Sequence, residues 1–295
     1  MEVGKIEDKF SNNIGKVVCE AIIPEVPLKE LSEIEKSIQK KFRSQLWTPF
    51  IKALKEFKMI NDGDRIAVAI SGGKDSLLLA KLFQELKRAS KTNFELVFIS
   101  MNPGFNDENL KKLKDNLNYL NIPTKVYQDN VFQVAEKIAK DYPCYMCAKM
   151  RRGSLYSRAV EMGCNKLALG HHFDDVVETT LMSMFYMAKF ETMLPKLKAD
   201  NFEMELIRPL FYVEEQSIKK WIRANGLSPM NCGCTVAAGK TSSKRRETKE
   251  LLGLLEKTNP NIRKNIMQSA KNVNLEKILA WKTKGEHFSY LDNIY

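Results

Sequence analysis

The stretch that most constrains how this chain can fold is Ser71-Gly72-Gly73-Lys74-Asp75-Ser76, which follows directly on the apolar run Ile66 to Ile70. A short run without polar alternation predicts a strand buried on both faces of a parallel sheet. Two glycines without Cβ then let the backbone turn sharply and approach a ligand closely. From Lys74 to Arg88, Leu77, Leu78, Leu82, Phe83 and Leu86 recur at helical spacing, so a helix begins where the turn ends. Strand, glycine turn and helix N-terminus together aim backbone amides and a helix dipole at an anion. The common G-x-x-x-x-G-K-[ST] spacing is absent. A Gly-Gly pair alone would mean only a tight strand-to-helix joint, but Ser71, Lys74, Asp75 and Ser76 add phosphate chemistry. Lys74 offers a point charge for phosphate, and Asp75 a hard oxygen for Mg²⁺.

The chain continues in the same alternation. Asn61-Asp62-Gly63-Asp64 is a turn into the loop strand. Phe94 to Met101 predicts a second strand, Leu110, Leu113, Leu117 and Leu120 a helix, and Thr124 to Gln128 a third strand. Asn130 to Lys140 has helical spacing in Val131, Val134, Ala135 and Ile138. Lys166 to Leu169 is a short strand opening into Gly170-His171-His172, with a helix from Asp174 to Ala188 behind it. Leu206 to Leu210 predicts one more strand, and Glu214 to Asn225 a helix closed by Gly226. The expected fold is α/β, a doubly wound parallel sheet that binds ligands beyond the C-terminal ends of its strands. Ahead of it, Leu31 to Lys58 reads as amphipathic helix with a break around Pro49, and two or three helical segments are expected after Asn231. The division is 1–58 as an N-terminal extension, 59–230 as the α/β domain and 231–295 as a basic C-terminal segment.

Net charge is +11, and residues 235–295 hold twelve Lys and Arg against six Asp and Glu. Such an excess selects a polyanionic partner, nucleic acid before membrane. The N-terminus lacks the apolar core of a signal peptide, and no stretch approaches 18 consecutive apolar residues, so a cytoplasmic protein without a membrane partner is expected. Six cysteines in that compartment argue for metal or redox chemistry rather than a disulfide framework.

Cys144-Tyr145-Met146-Cys147 is expected between two helices, and Cys232-Gly233-Cys234 follows 85 residues after Cys147. A lone C-x-x-C fits zinc, an iron–sulfur cluster, a redox dithiol or buried thiols. Cys-Gly-Cys is too tight for a second zinc knuckle, although zinc stays open. Three thiolates on a [4Fe–4S] cluster would leave one iron able to take sulfide or a persulfide. Lys149, Arg151, Arg152 and Arg158 follow the C-x-x-C without an intervening acid, so phosphate could be held beside the metal. Cys19, without a paired neighbour, reads as structurally incidental, and Cys164, preceding a strand, as a buried small hydrophobe. Adjacent His171 and His172 lack a zinc spacing, and Asp174 and Asp175 could simply start a helix. In a doubly wound sheet, however, this segment faces the Ser71–Ser76 loop, which favours a nucleotide contact or an acid near the reacting base.

Taken in order, these landmarks resemble the tRNA 2-thiocytidine biosynthesis proteins. That family is a branch of the N-type ATP pyrophosphatases, whose Ser-Gly-Gly-Lys-Asp-Ser motif is the PP-loop, and it carries an iron–sulfur cluster. The resemblance runs from about Ile38 to Leu255. It also rests on Met59 to Arg65, Arg151-Arg152-Gly153, Leu169 to Asp175, Met184-Phe185-Tyr186, Pro195-Lys196-Leu197 and Ile207-Arg208-Pro209-Leu210. It implies ATP phosphates on Ser71, Gly72, Gly73, Lys74, Asp75 and Ser76, with Asp75 on Mg²⁺, and a nucleotide pocket lined by Gly170 and His171. Cys144 and Cys147 would ligate the cluster with Cys234, or with Cys232 as the alternative third ligand. Arg151 takes the place of a basic residue near the substrate, and Asp174 and Asp175 that of a catalytic acid. Two departures stand out: Ser100-Met101-Asn102 ahead of Pro103-Gly104-Phe105, and Thr241-Ser242-Ser243-Lys244 after the last cysteine.

The reaction implied is ATP-dependent tRNA thiolation, most specifically at position 2 of cytidine 32. The carbonyl oxygen attacks the α-phosphate, pyrophosphate leaves, and sulfur from the open iron displaces AMP. The partners expected are tRNA, with the target base flipped outward, and a sulfur donor, either a cysteine desulfurase or sulfide. A homodimer is compatible with the sequence. The rivals are the same chemistry on uridine, lysidine-type or amide-forming PP-loop chemistry that has no use for the cysteines, and a non-catalytic iron–sulfur RNA-binding or sensor protein.

Overall fold

The computed structural model describes residues 22–129, 143–230 and 243–293. The chain opens with α1 (Leu31–Gln39), a π-helical turn (Arg43–Trp47) and α2 (Thr48–Glu56). The helix expected from Leu31 to Lys58 is therefore two helices, broken at Lys40–Phe42 and not at Pro49. Pro49 sits in the first turn of α2, where its missing N–H costs no helical bond.

The strands and helices that follow are β1 (Arg65–Ile70), α3 (Lys74–Ala89), β2 (Glu95–Asn102), α4 (Asp107–Tyr119), β3 (Thr124–Gln128) and α5 (Pro143–Glu161). Then come β4 (Lys166–Ala168), α6 (Phe173–Met187), β5 (Lys196–Lys198), β6 (Glu205–Ile207) and α7 (Glu215–Ala224). The sheet order is β3-β2-β1-β4-β6-β5. Pairs β1–β2, β2–β3, β1–β4 and β4–β6 are parallel, as expected, whereas the edge pair β5–β6 is antiparallel. Lys196-Leu197-Lys198 is too short and too basic to announce a strand. Pairing with β6, not local propensity, makes it one.

Ile66, Ala67 and Val68 are fully buried, which is what the central position of β1 demands. Ala67, Ile99, Leu167 and Leu206, one from each of four strands, pack with Ala159 of α5 in one cluster. At the N-terminal end of β1, Asp64 takes a hydrogen bond from Asn61 N–H (2.6 Å), one from Asn165 Nδ2 (2.8 Å) and an ion pair with buried Lys166 (2.7 Å). Lys166 also donates to Met59 O at 2.9 Å, so its buried ammonium is well supplied with acceptors.

Beyond the sheet lie α8 (Ser243–Thr258), α9 (Ile262–Ser269), and a hairpin of β7 (Ala280–Thr283) and β8 (Glu286–Ser289). The C-terminal segment is thus not purely helical. The hairpin turns through Lys284 (φ +50°) and Gly285 (φ +85°), and Trp281 stacks on Phe288 at 5.5 Å. Chain contacts divide the molecule into two compact units, Met1–Phe173 with Leu194–Ser243, and Asp174–Met193 with Lys244–Tyr295. The helix expected over Asn130 to Lys140 lies outside the described residues. No described helix is long and apolar enough to cross a membrane.

Candidate active site

The crossover from β1 leads to β2 on one side, while β4 arrives on the other, so strand order reverses at the C-terminal ends of β1 and β4. An open α/β sheet offers its ligand crevice at such a point. The Ser71–Ser76 loop leaves β1 there, and Gly170-His171-His172 leaves β4 beside it.

The loop is held by its own serines. Ser76 Oγ accepts from Ser71 N–H (3.2 Å) and donates to Gly73 O (2.9 Å), while Ser71 Oγ contacts Ser76 Oγ at 3.2 Å. Gly72 has φ +82°, a conformation that side chains rarely adopt. A Cβ there would also stand 2.6 Å from Met230 Sδ and 3.0 Å from Leu113 Cδ1. Gly73 caps α3 with no side-chain hydrogen bond, so the first-turn amides of α3 remain available as donors. Gly170 packs against the same turn: a Cβ on it would lie 3.4 Å from Asp75 Cβ and from Ser76 N.

The charges are arranged around Lys74 and Asp75. Lys74 Nζ lies 3.0 Å from Asp75 Oδ2 and 3.1 Å from Glu215 Oε1 at the start of α7. Burial opposes the ammonium charge, but the Asp75 and Glu215 carboxylates outweigh it, and the pKa of Lys74 is raised above its ordinary value. Asp75 Oδ1 is buried and has no hydrogen-bond partner among the described residues; His172 Nε2 lies 3.8 Å from it. A buried carboxylate oxygen left in this state is unusual, and a hard cation beside phosphate satisfies it. The residues present therefore fit Mg²⁺. Ser100, which faces Ile70 in the register of β2 on β1, has a fully buried hydroxyl likewise lacking a partner among the described residues.

Cys144 and Cys147 stand in the first two turns of α5, not between two helices as expected. Spacing places 144, 147, 151, 154 and 158 on one helical stripe. Arg158 covers the Tyr127 ring at 5.1 Å and Ser154 Oγ donates to Asp129 at 2.8 Å, so this stripe follows β3 outward past its C-terminal end. Seven residues nearer the helix start, position 147 stands about 10 Å further along that line. The C-x-x-C backbone is thus at the same end of the sheet as the phosphate loop, with half-buried Arg151 one turn behind. Cys232 and Cys234 lie outside the described residues. Cys164 is a free, buried thiol whose pKa burial raises, as suits a structural role.

Asp174 and Asp175 belong to the second unit. There Arg263 Nη1 donates to Asp174 Oδ1 at 3.2 Å, and Arg245 Nη1 lies 3.6 Å from Asp175 Oδ1. Glu178, one turn on and almost fully buried, faces Arg245 Nε at 3.6 Å. Tyr186, at the exposed end of α6, donates to Glu247 at 3.0 Å beneath Lys244 Nζ.

A model of the PP-loop domain matches residues 42–230. The tRNA-cytidine(32) 2-sulfurtransferase of Syntrophotalea carbinolica is 39% identical over 75% of this chain and 86% of its own length. That of Geobacter sulfurreducens is 38% identical over 75% and 87%. The chain belongs to the tRNA-cytidine(32) 2-sulfurtransferase branch of the PP-loop family. Among solved structures, the U34-tRNA thiolase NcsA from Methanococcus maripaludis with its [4Fe–4S] cluster superposes with a TM-score of 0.64. It is 23% identical over 81% of this chain and 83% of that one, a likeness of fold. The PP-loop residues were legible in the sequence. Glu215 and Met230 were not: Glu215 reads locally as a first-turn helix acid, and no spacing links either residue to positions 72–74.

Proposed function

We propose that this protein is an ATP-dependent tRNA sulfurtransferase that replaces the position-2 oxygen of a cytidine, cytidine 32 by its relatives, with sulfur. The observation that carries the proposal is the PP-loop at the strand-order reversal, with an unsatisfied Asp75 oxygen at one side and a C-x-x-C helix starting on the same rim.

In this reading the base enters with its carbonyl oxygen toward the α-phosphate of ATP. The first-turn amides of α3 and the Lys74 ammonium receive the phosphate oxygens and stabilise the negative charge that grows on the departing pyrophosphate. Asp75 would hold Mg²⁺ through Oδ1, and His171 and Gly170 would border the nucleotide. The oxygen–phosphorus bond forms as the α–β bridge breaks. A sulfur nucleophile then takes C2, and AMP departs with the former carbonyl oxygen. Cys144, Cys147 and Cys234, or Cys232 in its place, would hold a [4Fe–4S] cluster. When bound, such a cluster supplies an iron able to bind sulfur. Cys232 and Cys234 lie two and four residues beyond Met230, whose N–H donates to Gly72 O at 2.9 Å. Arg151 would hold RNA phosphate, and Asp174 and Asp175 are proposed at the acid position. Sulfide or a cysteine desulfurase would donate the sulfur, and a cytoplasmic location suits a tRNA substrate.

Nucleoside mass spectrometry of tRNA from cells lacking the gene should show loss of 2-thiocytidine with other thionucleosides retained; unchanged 2-thiocytidine would sink the assignment. Anaerobically purified protein should be brown, and should release pyrophosphate from ATP only when tRNA is added.

A further inference from the structure

We infer that Glu215 is a positioning residue of the phosphate loop: it holds the Lys74 ammonium so that Asp75 can turn to a nucleotide-bound divalent cation. The inference rests on the ATP-using function proposed above.

Lys74 stands at the first position of α3, where the positive end of the helix dipole works against a cation. Its side chain is only 18% exposed, so water supplies little compensation. An ammonium has three N–H donors. One points to Asp75 Oδ2 at 3.0 Å and one to Glu215 Oε1 at 3.1 Å, which leaves a third for a phosphate oxygen.

The two carboxylates are not equivalent. Asp75 is the next residue in the chain, and its Oδ1 is the buried oxygen without a hydrogen-bond partner, the atom suited to a cation. Were Asp75 the sole counter-ion of Lys74, engaging a cation would strip the ammonium of its only anion in a poorly hydrated place. Glu215 arrives from a different helix, 141 residues along the chain, at a helix start where an acid is favoured. Its second oxygen, Oε2, faces Lys219 Nζ at 3.4 Å, one turn further along α7. The result is an alternating line, Lys219, Glu215, Lys74, Asp75, in which Glu215 keeps Lys74 in place whatever Asp75 does. The other end of the same segment reinforces the arrangement. The strap after α7 runs through Ser228, whose carbonyl accepts from Asn116 Nδ2 (2.9 Å), to Met230, bonded to Gly72 O. The segment from Glu215 to Met230 thus grips the loop at two points, Lys74 and Gly72.

The test is equilibrium binding of a fluorescent, non-hydrolysable ATP analogue to the full chain, titrated with Mg²⁺, for the wild type, Glu215→Gln and Glu215→Asp. Losing a charged hydrogen-bond partner leaves Lys74 drawing on Asp75 alone. Glu215→Gln should raise the half-saturating Mg²⁺ concentration about tenfold, while affinity measured without Mg²⁺ changes less than about threefold. Glu215→Asp should recover part of the Mg²⁺ response. In turnover with tRNA, Glu215→Gln should lower kcat for pyrophosphate release and leave the KM for tRNA unchanged. Two results would overturn the inference: a Mg²⁺ response in Glu215→Gln equal to that of the wild type, or equal losses with and without Mg²⁺ that track a lower melting temperature. A wild type that binds no analogue at any Mg²⁺ concentration removes the ATP reading and this inference with it. A wild type with normal Mg²⁺ dependence, matched by Glu215→Gln, removes the inference alone.

Discussion

Replacing Gly72 by alanine tests whether the PP-loop and the strap at Met230 form one packed unit. Two separable costs arise. Alanine at φ +82° loses about 1–2 kcal/mol from left-handed backbone strain, wherever its methyl points. The methyl itself would stand 2.6 Å from Met230 Sδ and 3.0 Å from Leu113 Cδ1, well inside contact distance. Met230 is buried and its backbone is pinned by the hydrogen bond to Gly72 O, but its thioether can still swing. The collision should therefore add about 1–2 kcal/mol, the lower part of the usual overpacking range. Met230→Ala alone should cost about 2–4 kcal/mol, as truncation of a buried methionine does. In the double variant the colliding sulfur is gone, and what remains from the first substitution is the backbone strain and the 3.0 Å approach to Leu113 Cδ1. The double variant should be more stable than the sum of the single losses by about 1 kcal/mol or more. Urea denaturation of all four proteins supplies the cycle, provided m stays constant. Analogue binding should follow the same pattern: weakened by Gly72→Ala as Gly73 and Lys74 shift, and partly restored in the double variant. Single losses that add to within about 0.5 kcal/mol would show that loop and strap are not coupled.

Three further outcomes are expected. Burial works against the charge on Asp64, but Lys166, the Asn61 N–H and the Asn165 amide outweigh it and hold the carboxyl below the usual range. A depressed folded pKa gives stability that is present above the ordinary carboxylate pKa and lost as pH falls through the folded value. Asp64→Asn should cost about 3 kcal/mol at neutral pH, since Glu205 at 3.4 Å still compensates Lys166 in part, and should flatten the fall in melting temperature as pH drops below the ordinary carboxylate pKa of about 4; an unchanged acid limb would contradict this. Gly226→Ala should prevent folding or cost more than about 3 kcal/mol, because a methyl there meets Pro27 O at 2.4 Å and Leu28 N at 2.5 Å, both backbone atoms, at φ +70°; denaturation midpoints check it. Cys144→Ser and Cys147→Ser should each lose bound iron and the visible thiolate–iron band, and of Cys232→Ser and Cys234→Ser only one should do so. Full iron content in all four would remove the cluster assignment.

The amino-acid sequence alone was enough for the elements around the phosphate loop, which depend on neighbours in the chain. The run Ile66–Ile70, the glycine turn and the leucine spacing of α3 specify a strand, a left-handed bend and an amphipathic helix. Their order, repeated along the chain, specifies a parallel sheet with its ligand edge at the strand ends, although not its antiparallel edge strand β5. Ser71 to Ser76 were legible for the same reason, since six consecutive residues make one cradle. What only the tertiary structure decided depends on partners far apart in sequence. The Lys196–Lys198 strand exists because β6 offers it an edge. The second counter-ion of Lys74, Glu215, is separated from it by 141 residues, and Met230 meets Gly72 across 158. Contacts of that kind are set by how helices close over a sheet, because a side chain's charge and volume act on whatever the fold brings within a few ångströms, at any distance along the chain.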